Sequence, residues 1–411
     1  MTELSKKNIG IFVDSQKISG GAFHELSSFI KSVEEYNKDF KLNFIIICTS
    51  KKTSFNESLT KFKTVYFEMN LFKRYFHYLF NHHHLFRRLR KFLYFKNSFE
   101  SFLARHEIDY VIFTGPSQYA LYLENISYAL SIQDVAHREN VEFPELGSAP
   151  LFTWKDEIYR KAAIRASMIF TNSQVIKKRI SFFYSILEER IYVINQQPSL
   201  SVKNFKGNKT DDSIINFKKN NKLPNNYIFY PAMYLPHKNH KYIIDVIDIL
   251  NNNQKLDISA VFCGSDKGYL KNLKEYSKKK NLSDKIKFLD FVKDEELPYL
   301  YINSLALAMP TLIGPTNIPP WEAFKLNIPV LYSDFGNIRS ILKDAVYYID
   351  PFQPESMAKG IKKIFQEKNF KDDLVKKGSE LLNSINFKKD FEQILKSIIH
   401  NRIIRNRWIF D

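Results

Sequence analysis

The sequence predicts an α/β protein with two domains, each built around a parallel sheet. The chain has 411 residues, a length that suits two domains better than one. Short apolar segments alternate with helix-length stretches, and several of them lack polar alternation, as is typical of strands buried on both faces. One polar stretch, 196–226, interrupts this pattern near the middle of the chain.

The first half contains enough strand and helix signals for one complete α/β domain over residues 1–195. Its candidate strands are 8–13, 43–48, 109–114, 128–133, 167–172 and 190–195. The helix-length stretches between them include 22–36 and 152–166. Strands that alternate with helices in this way predict a parallel sheet with crossover helices.

The second half repeats the layout without visible sequence similarity to the first. Residues 196–226 are predicted to be a linker or domain edge. The candidate strands that follow are 227–231, 258–263, 285–289, 306–310, 328–333 and 346–350. We therefore expect a second domain at 227–385 and a C-terminal helix at 386–411. One arrangement open to this helix is to pack back on the first domain. Ligands of open parallel sheets bind at the carboxyl ends of strands, so we expect a site in a cleft between the domains.

Composition indicates a globular protein of the cytoplasm. The chain is 44% hydrophobic and 26% charged, which excludes a disordered protein. Its two cysteines, Cys48 and Cys263, lie in apolar runs, so we expect a reducing compartment and no disulfide framework. The N-terminus predicts a first strand rather than a signal peptide, and no run of 18 apolar residues predicts a membrane span.

The charge balance favours anionic partners. Lys and Arg number 61 against 44 Asp and Glu, a formal net charge of +17. Segment 71–99 has no acidic residue, seven Lys or Arg and ten aromatic residues. This composition suits an anionic membrane surface, and it also suits a pair of domain helices with a basic face. No RNA-binding fingerprint accompanies it, so we expect no nucleic acid partner.

Two predicted helix starts in the second half could bind an anion. In "GPTNIPPWEAF", residues 314–324, Pro319 and Pro320 indicate a first helical turn directly after a strand. Lys238 falls near the start of another helix, where a cation opposes the helix dipole unless an anion lies between them. Lys238 could instead be a solvated lysine, and Glu322 an ordinary first-turn glutamate that accepts from helix N–H groups.

Metal chemistry has little support in the sequence. Three consecutive histidines, 82–84, would point about 100° apart on a helix and could not converge on one ion. No phosphate-binding P-loop, paired CxxC motif or serine nucleophile motif occurs. We therefore expect neither a metal nor another cofactor.

Several stretches resemble the motifs of family 4 retaining glycosyltransferases, in order and approximate spacing. In the second half these are "YPAMYLPHKNHKYI", "VFCGSDKGYLKNLKE", "IKFLDFVKDEELPYLYINS" and "GPTNIPPWEAFKLNIPVLYSD". In the first half, "SGGAFHE" (19–25) is similar to the family's glycine loop and "IQDVAHRENVEFPE" (132–145) to its acceptor-side loop. The resemblance implies the GT-B fold, in which two Rossmann-like domains face a central cleft, and transfer that needs no metal.

The resemblance also implies roles for particular residues. Lys238 would bind the donor diphosphate, Glu322 would bind the ribose hydroxyls, and His137 would join them as a catalytic residue. The nucleotide-sugar site would be lined by Gly20, Gly21, Gly264, Phe291, Val292, Pro315, Thr316, Asn317 and Ile318. Asp134 and Arg138 would lie on the acceptor side.

Three departures from the family pattern indicate a divergent branch. Gly314 stands where the first glutamate of the usual glutamate pair is expected. Met233 stands where an arginine is common, five residues before Lys238, and Gln133 replaces the histidine that often precedes Asp134.

The resemblance implies a hexosyltransferase that moves a sugar from a nucleotide-diphosphate donor to a glycan or lipid-linked acceptor, with retention of configuration. Synthesis of a cell-surface polysaccharide such as lipopolysaccharide or capsule is the expected role, in the cytoplasm or on the inner face of the membrane through segment 71–99. Two alternatives remain open at this point: a nucleotide-sugar epimerase of the same fold, and a non-catalytic protein that binds an anionic surface or nucleic acid.

Overall fold

The computed structural model describes most of the chain. The described residues are 7–14, 21–50, 60–69, 72, 97–208, 210–289, 292–314 and 317–407. By their contacts these residues form two compact units. The first unit contains Met1–Val141, Leu146–Asn195 and Phe387–Asp411, and the second contains Glu142–Glu145 and Gln196–Asn386.

The first unit is built on a parallel sheet of seven strands. The strands are β1 (Asn8–Val13), β2 (Asn43–Cys48), β3 (Lys63–Tyr66), β4 (Ile108–Phe113), β5 (Ser127–Ser131), β6 (Met168–Thr171) and β7 (Ile191–Val193). Their order in the sheet is β3-β2-β1-β4-β5-β6-β7, and each neighbouring pair is parallel. The sequence predicted six of these strands and missed β3, in which Val65 is the one buried residue and leaves little pattern.

Both faces of this sheet are buried, as the unbroken apolar strands predict. Ile9, Ile11 and Val13 of β1 join one core cluster, whereas Phe12 joins another. Side chains alternate across a strand, so the two clusters lie on opposite faces. The helices are Gly21–Tyr36, Ser98–Arg105, Tyr119–Tyr122, Ala136–Glu139, Ala149–Ile158, Gln174–Tyr184 and Phe387–Asn406, with a π-helical turn at Tyr159–Ala163.

The C-terminal helix packs on the first unit. Its residues Phe391, Ile394 and Leu395 join the same cluster as Ile9 of β1. Arg402, which is 2% exposed, donates from Nε to a carboxylate oxygen of Asp109 at 3.1 Å. The guanidinium also donates to the Lys7 carbonyl at 3.0 Å, so the helix is fixed by both apolar contacts and a buried ion pair.

The second unit has a parallel sheet of six strands. These are β8 (Tyr227–Pro231), β9 (Ser259–Cys263), β10 (Ile286–Leu289), β11 (Ala306–Met309), β12 (Val330–Ser333) and β13 (Tyr347–Ile349). The order is β10-β9-β8-β11-β12-β13. The order in which strands are added to the sheet therefore reverses between β8 and β11. Ligands of such sheets bind at this switch point.

The helices of the second unit include two that precede its first strand. The full set is Leu200–Lys203, Asp212–Asn220, His240–Asp248, Leu270–Lys279, Leu297–Asn303, Ile318–Lys325, Ile338–Leu342, Pro354–Gln366 and Lys368–Asn383. The first two lie in the polar stretch 196–226, which the contacts group with this unit. The short helix Pro144–Gly147 begins in the segment Glu142–Glu145, which is also grouped here.

No helix among the described residues is both long and apolar enough to cross a membrane.

Candidate functional site

The loop after β11 leads into the helix Ile318–Lys325. Asn317, the residue before that helix, has extended backbone angles of φ −128° and ψ 145°. Pro319 and Pro320 occupy the first turn, as their positions in the sequence predict. Because proline has no N–H, Ile318 is the one residue among the first three of the helix that can donate from its backbone.

The side chain of Asn317 organises this loop. Its Nδ2 donates to the Gly314 carbonyl at 2.8 Å and to the Tyr332 hydroxyl at 2.5 Å. The Tyr332 hydroxyl in turn donates to the Gly314 carbonyl at 3.0 Å. Gly314 has φ +91°, a conformation that L side chains rarely adopt. A glutamate at this position would therefore strain the backbone, which gives a physical reason for the glycine.

Lys238 ends the short 3₁₀ turn Pro236–Lys238, which follows β8. The half-buried lysine donates from Nζ to Asn317 Oδ1 at 3.4 Å. Since β8 and β11 are neighbours in the sheet, their following loops meet at the switch point. The structure thus brings Lys238 to the start of the helix Ile318–Lys325, while Pro315 and Thr316 lie outside the described residues.

Hydrogen bonds to the backbone hold the Lys238 turn in place. The His237 carbonyl accepts from Leu312 N at 2.8 Å. The Tyr230 hydroxyl donates to the Lys238 carbonyl at 2.9 Å. Asn239, in the left-handed conformation at φ +57°, donates from its side chain to the Pro351 carbonyl at 3.0 Å. The backbone of the turn is therefore fixed before any ligand arrives.

Glu322 lies in the same helix and is 3% exposed. Its Oε2 accepts from the Tyr301 hydroxyl at 2.6 Å. This side-chain hydrogen bond joins Glu322 to a tyrosine and not to a helix N–H group. Burial, and then the charge of Glu322, raise the pKa of the Cys263 thiol at the end of β9 to about 12. This carboxylate is therefore enclosed by the second unit.

Gly264 follows β9 and has a clear packing reason to be glycine. A Cβ at this position would lie 2.2 Å from the Ala232 carbonyl oxygen in the loop after β8. The loops after β8 and β9 can approach this closely only without a side chain. Val292 packs partly buried against the core of this unit. Phe291 lies outside the described residues.

The first unit holds the remaining predicted site residues. Gly20 lies outside the described residues, and Gly21 is the exposed first residue of the helix Gly21–Tyr36. Asp134 is partly exposed and accepts from Lys155 Nζ at 2.7 Å and from the Ala136 N–H at 3.0 Å. β1 lies beside β4, where the strand order of this sheet has its own switch point.

His137 and Arg138 belong to a buried polar cluster. The His137 side chain has no exposed surface, and its Nε2 lies 3.3 Å from the Tyr184 hydroxyl and 3.6 Å from Asp156 Oδ1. Arg138 donates to both oxygens of Asp156, with the Nη2 bond at 2.9 Å. The described contacts of both residues are with side chains of the first unit, and their predicted roles stay predictions.

The protonation of this cluster is set by burial and by cations. Burial, with Lys155 adding to it, lowers the pKa of His137 to about 4. Burial alone would raise the pKa of Asp156, but hydrogen bonds from Arg138 and Arg160 lower it to about 2. His137 is therefore neutral and Asp156 charged at neutral pH.

We expect His137 to make the protein less stable as the pH falls from about 6.5 to 4. In that range the unfolded chain binds a proton at this residue and the folded protein does not, so protons favour unfolding. The effect at pH 5 is about 2 kcal/mol for such a histidine. Unfolding by urea at pH 7 and pH 5 measures it, and His137→Gln should show a smaller loss than the wild type.

A second buried histidine adds to this pH dependence. Burial lowers the pKa of His240 to about 3, so the sign of its effect is the same. His240→Gln should also reduce the loss between pH 7 and pH 5. If both variants lose as much stability as the wild type, the pKa of neither histidine is lowered in the folded protein.

Sequence reasoning missed several residues that support the site. Glu145 Oε1 accepts from the His237 N–H at 3.2 Å and lies 2.7 Å from His237 Nδ1, next to Lys238 in the chain. Pro144 and Gly147 lie on either side of Glu145 and are residues typical of turns, but nothing in the sequence indicates which group Glu145 contacts. Tyr301 and Tyr332 lay within motif stretches, and only the fold shows which groups their hydroxyls meet.

Among the described residues, no group of three or more His, Cys, Asp or Glu side chains is placed to hold a metal ion. The histidines at 82–84 lie outside the described residues.

Residues 211–381 match the family model for glycosyl transferases, group 1. The matched residues all lie in the second unit, so this unit is similar to the glycosyl transferases of group 1. This match includes Lys238, Gly264 and Glu322.

Curated relatives point the same way. O-antigen chain mannosyltransferase RfbU of Salmonella typhimurium is 29% identical over 202 residues, which cover 49% of this chain and 52% of RfbU. The uncharacterized glycosyltransferase MJ1607 of Methanocaldococcus jannaschii is 24% identical over 213 residues, covering 50% and 53%. The chain thus spans about half the length of the curated relatives it matches.

Solved structures share the fold over nearly the whole chain. A glycosyltransferase from Rickettsia africae has a TM-score of 0.69 at 13% identity and covers 96% of this chain and 99% of its own. Anabaena Alr3699/HepE in complex with UDP-glucose has a TM-score of 0.70 at 16% identity, with coverages of 96% and 99%. Two parallel-sheet Rossmann-like domains, as in these glycosyltransferases, confirm the predicted GT-B fold class.

Proposed function

We propose that this protein transfers a sugar from a nucleotide-diphosphate donor to a glycan or lipid-linked acceptor, with retention of configuration. The observation that carries the proposal is the meeting of Lys238 with Asn317 at the start of the helix Ile318–Lys325. These groups lie at the switch point of the second sheet, inside the segment that matches the group 1 family.

This arrangement suits a diphosphate leaving group. The positive end of the helix and the Lys238 ammonium both stabilise negative charge that develops as the bond to the sugar breaks. Pro319 and Pro320 leave few backbone donors in the first turn, so Lys238 carries a large share of this task. An acceptor hydroxyl attacks the sugar from the same face, and a β-phosphate oxygen takes its proton.

The acceptor is proposed from the relatives. RfbU is named as an O-antigen chain mannosyltransferase, and WaaG, with a TM-score of 0.65 at 12% identity, is described as involved in lipopolysaccharide biosynthesis. We infer a growing cell-surface polysaccharide as the acceptor. Attachment to the inner face of the membrane through segment 71–99 belongs to the same proposal and rests on composition, since residues 73–96 lie outside the described part.

A ligand screen followed by a transfer assay tests the proposal. UDP, GDP and ADP, each with and without a sugar, are compared by the shift they cause in melting temperature, because a ligand of the native state stabilises it by mass action. At least one should raise the melting temperature in the absence of metal. The nucleotide sugar that does so should then label a lipid-linked glycan acceptor. If none of these ligands binds, the proposed function fails.

A further inference from the structure

The carboxylate of Glu322 is buried without a cation. No ion pair to Glu322 occurs among the described residues, and the side chain is 3% exposed. A buried carboxylate is costly unless hydrogen-bond donors surround it. The hydroxyl of Tyr301 donates a hydrogen bond to Oε2 of Glu322 at 2.6 Å. A carboxylate can accept about four hydrogen bonds, so Tyr301 meets only part of its capacity.

Tyr301 is well suited to hold this carboxylate. Its side chain is fully buried, and its ring packs edge-on against Phe229 of β8 with ring centres 4.9 Å apart. Burial, and then the charge of Glu322, raise the pKa of Tyr301 well above its usual value. The phenol therefore stays protonated at neutral pH, where it can donate to Glu322.

We propose that Tyr301 is a positioning residue that holds one oxygen of Glu322 so that the other can accept from the ribose hydroxyls of the donor nucleotide. The inference rests on the proposed function, because it assumes that a nucleotide binds beside this helix. A glutamate side chain has three rotatable bonds, and ordering them on nucleotide binding costs conformational entropy. A rigid buried donor orders the side chain before the nucleotide binds, so that this cost does not reduce the affinity.

Binding of UDP, GDP and ADP, each compared with its 2′-deoxy form, tests the proposal by calorimetry. The wild type should prefer the ribonucleotide of the base that it accepts. Tyr301→Phe should lower the affinity for that ribonucleotide by about five- to tenfold, which is the effect of one lost hydrogen bond. The deoxy form should bind nearly as before, so the preference for ribose shrinks.

Tyr227→Phe is the matched control. Tyr227 is also fully buried, and its hydroxyl donates to the Leu300 carbonyl at 2.7 Å, one residue from Tyr301 in the chain. This variant loses a buried hydroxyl without touching the Glu322 carboxylate. It should keep the ribose preference of the wild type.

A double variant covers the case in which Tyr301→Phe folds poorly because a buried charge has lost its donor. Tyr301→Phe with Glu322→Gln removes the charge together with the donor, so it should fold. Its ribose preference should be smaller than that of the wild type, because an amide oxygen accepts a weaker hydrogen bond than a carboxylate does.

Three results would overturn the inference. They are a wild type that binds these nucleotides without a ribose preference, a Tyr301→Phe variant that keeps the preference, and equal losses for both sugar forms in Tyr301→Phe and Tyr227→Phe. A wild type that binds none of the nucleotides overturns the proposed function instead.

Discussion

Replacement of Lys238 by alanine is expected to weaken the binding of nucleoside diphosphates by about ten- to 150-fold, equivalent to about 1.5–3 kcal/mol. In the proposed site, the substitution removes a charge-assisted contact between Lys238 and the diphosphate at the start of the helix Ile318–Lys325. The nucleoside without phosphates should lose little affinity, because the proposed contact of Lys238 is with the phosphates alone. Calorimetric titration with UDP, GDP and ADP and the matching nucleosides measures both effects.

Lys241→Ala is the control for this experiment. Lys241 is an exposed cation in the first turn of the helix His240–Asp248, with its Nζ 4.7 Å from the centre of the Tyr276 ring. Its removal changes the net charge as much as Lys238→Ala does, but should leave diphosphate affinity within about twofold, as expected for a surface charge. Equal affinities in the wild type and Lys238→Ala would refute the assignment of Lys238.

Replacement of Arg402 by alanine is expected to cost about 3–5 kcal/mol of the free energy of unfolding, because it leaves Asp109 charged and without its buried partner. The guanidinium also donates to the Lys7 carbonyl, so the change loosens the C-terminal helix from the first unit. Urea unfolding followed by circular dichroism measures the loss.

Arg339→Ala removes an exposed ion pair with Asp334 and serves as the comparison. The two side chains of that pair are 63% and 38% exposed, and such pairs contribute less than about 1 kcal/mol. If Arg402→Ala is no more destabilising than Arg339→Ala, then the apolar residues Phe391, Ile394 and Leu395 hold the helix without help from the ion pair.

The layout of the fold could be predicted because each buried strand carries its own signal. β1 and β8 are uninterrupted apolar runs, and the structure gives them the bounds 8–13 and 227–231 expected from the sequence. β3 could not be predicted in the same way, because one buried valine among four residues gives no period. Local pattern therefore identified the strands that contain three or more apolar residues, and missed β3, which contains two.

The site was predictable where backbone chemistry restricts the sequence. Pro319 and Pro320 fit the first turn of a helix but not its interior, so the helical pattern that follows them placed the start of the helix Ile318–Lys325. The side-chain partners were not predictable. Tyr301 lies 21 residues before Glu322, and Glu145 lies 92 residues before His237, so only the folded chain brings each pair together. The reason for a glycine at position 314 became clear only from its positive φ angle in the structure.

A crystal structure of the protein with a bound nucleoside diphosphate would show the proposed nucleotide site itself. We expect a β-phosphate within hydrogen-bond distance of both Lys238 Nζ and the N–H of Ile318, with the ribose hydroxyls against Glu322. A nucleotide bound elsewhere, with Lys238 still directed only to Asn317, would contradict this expectation.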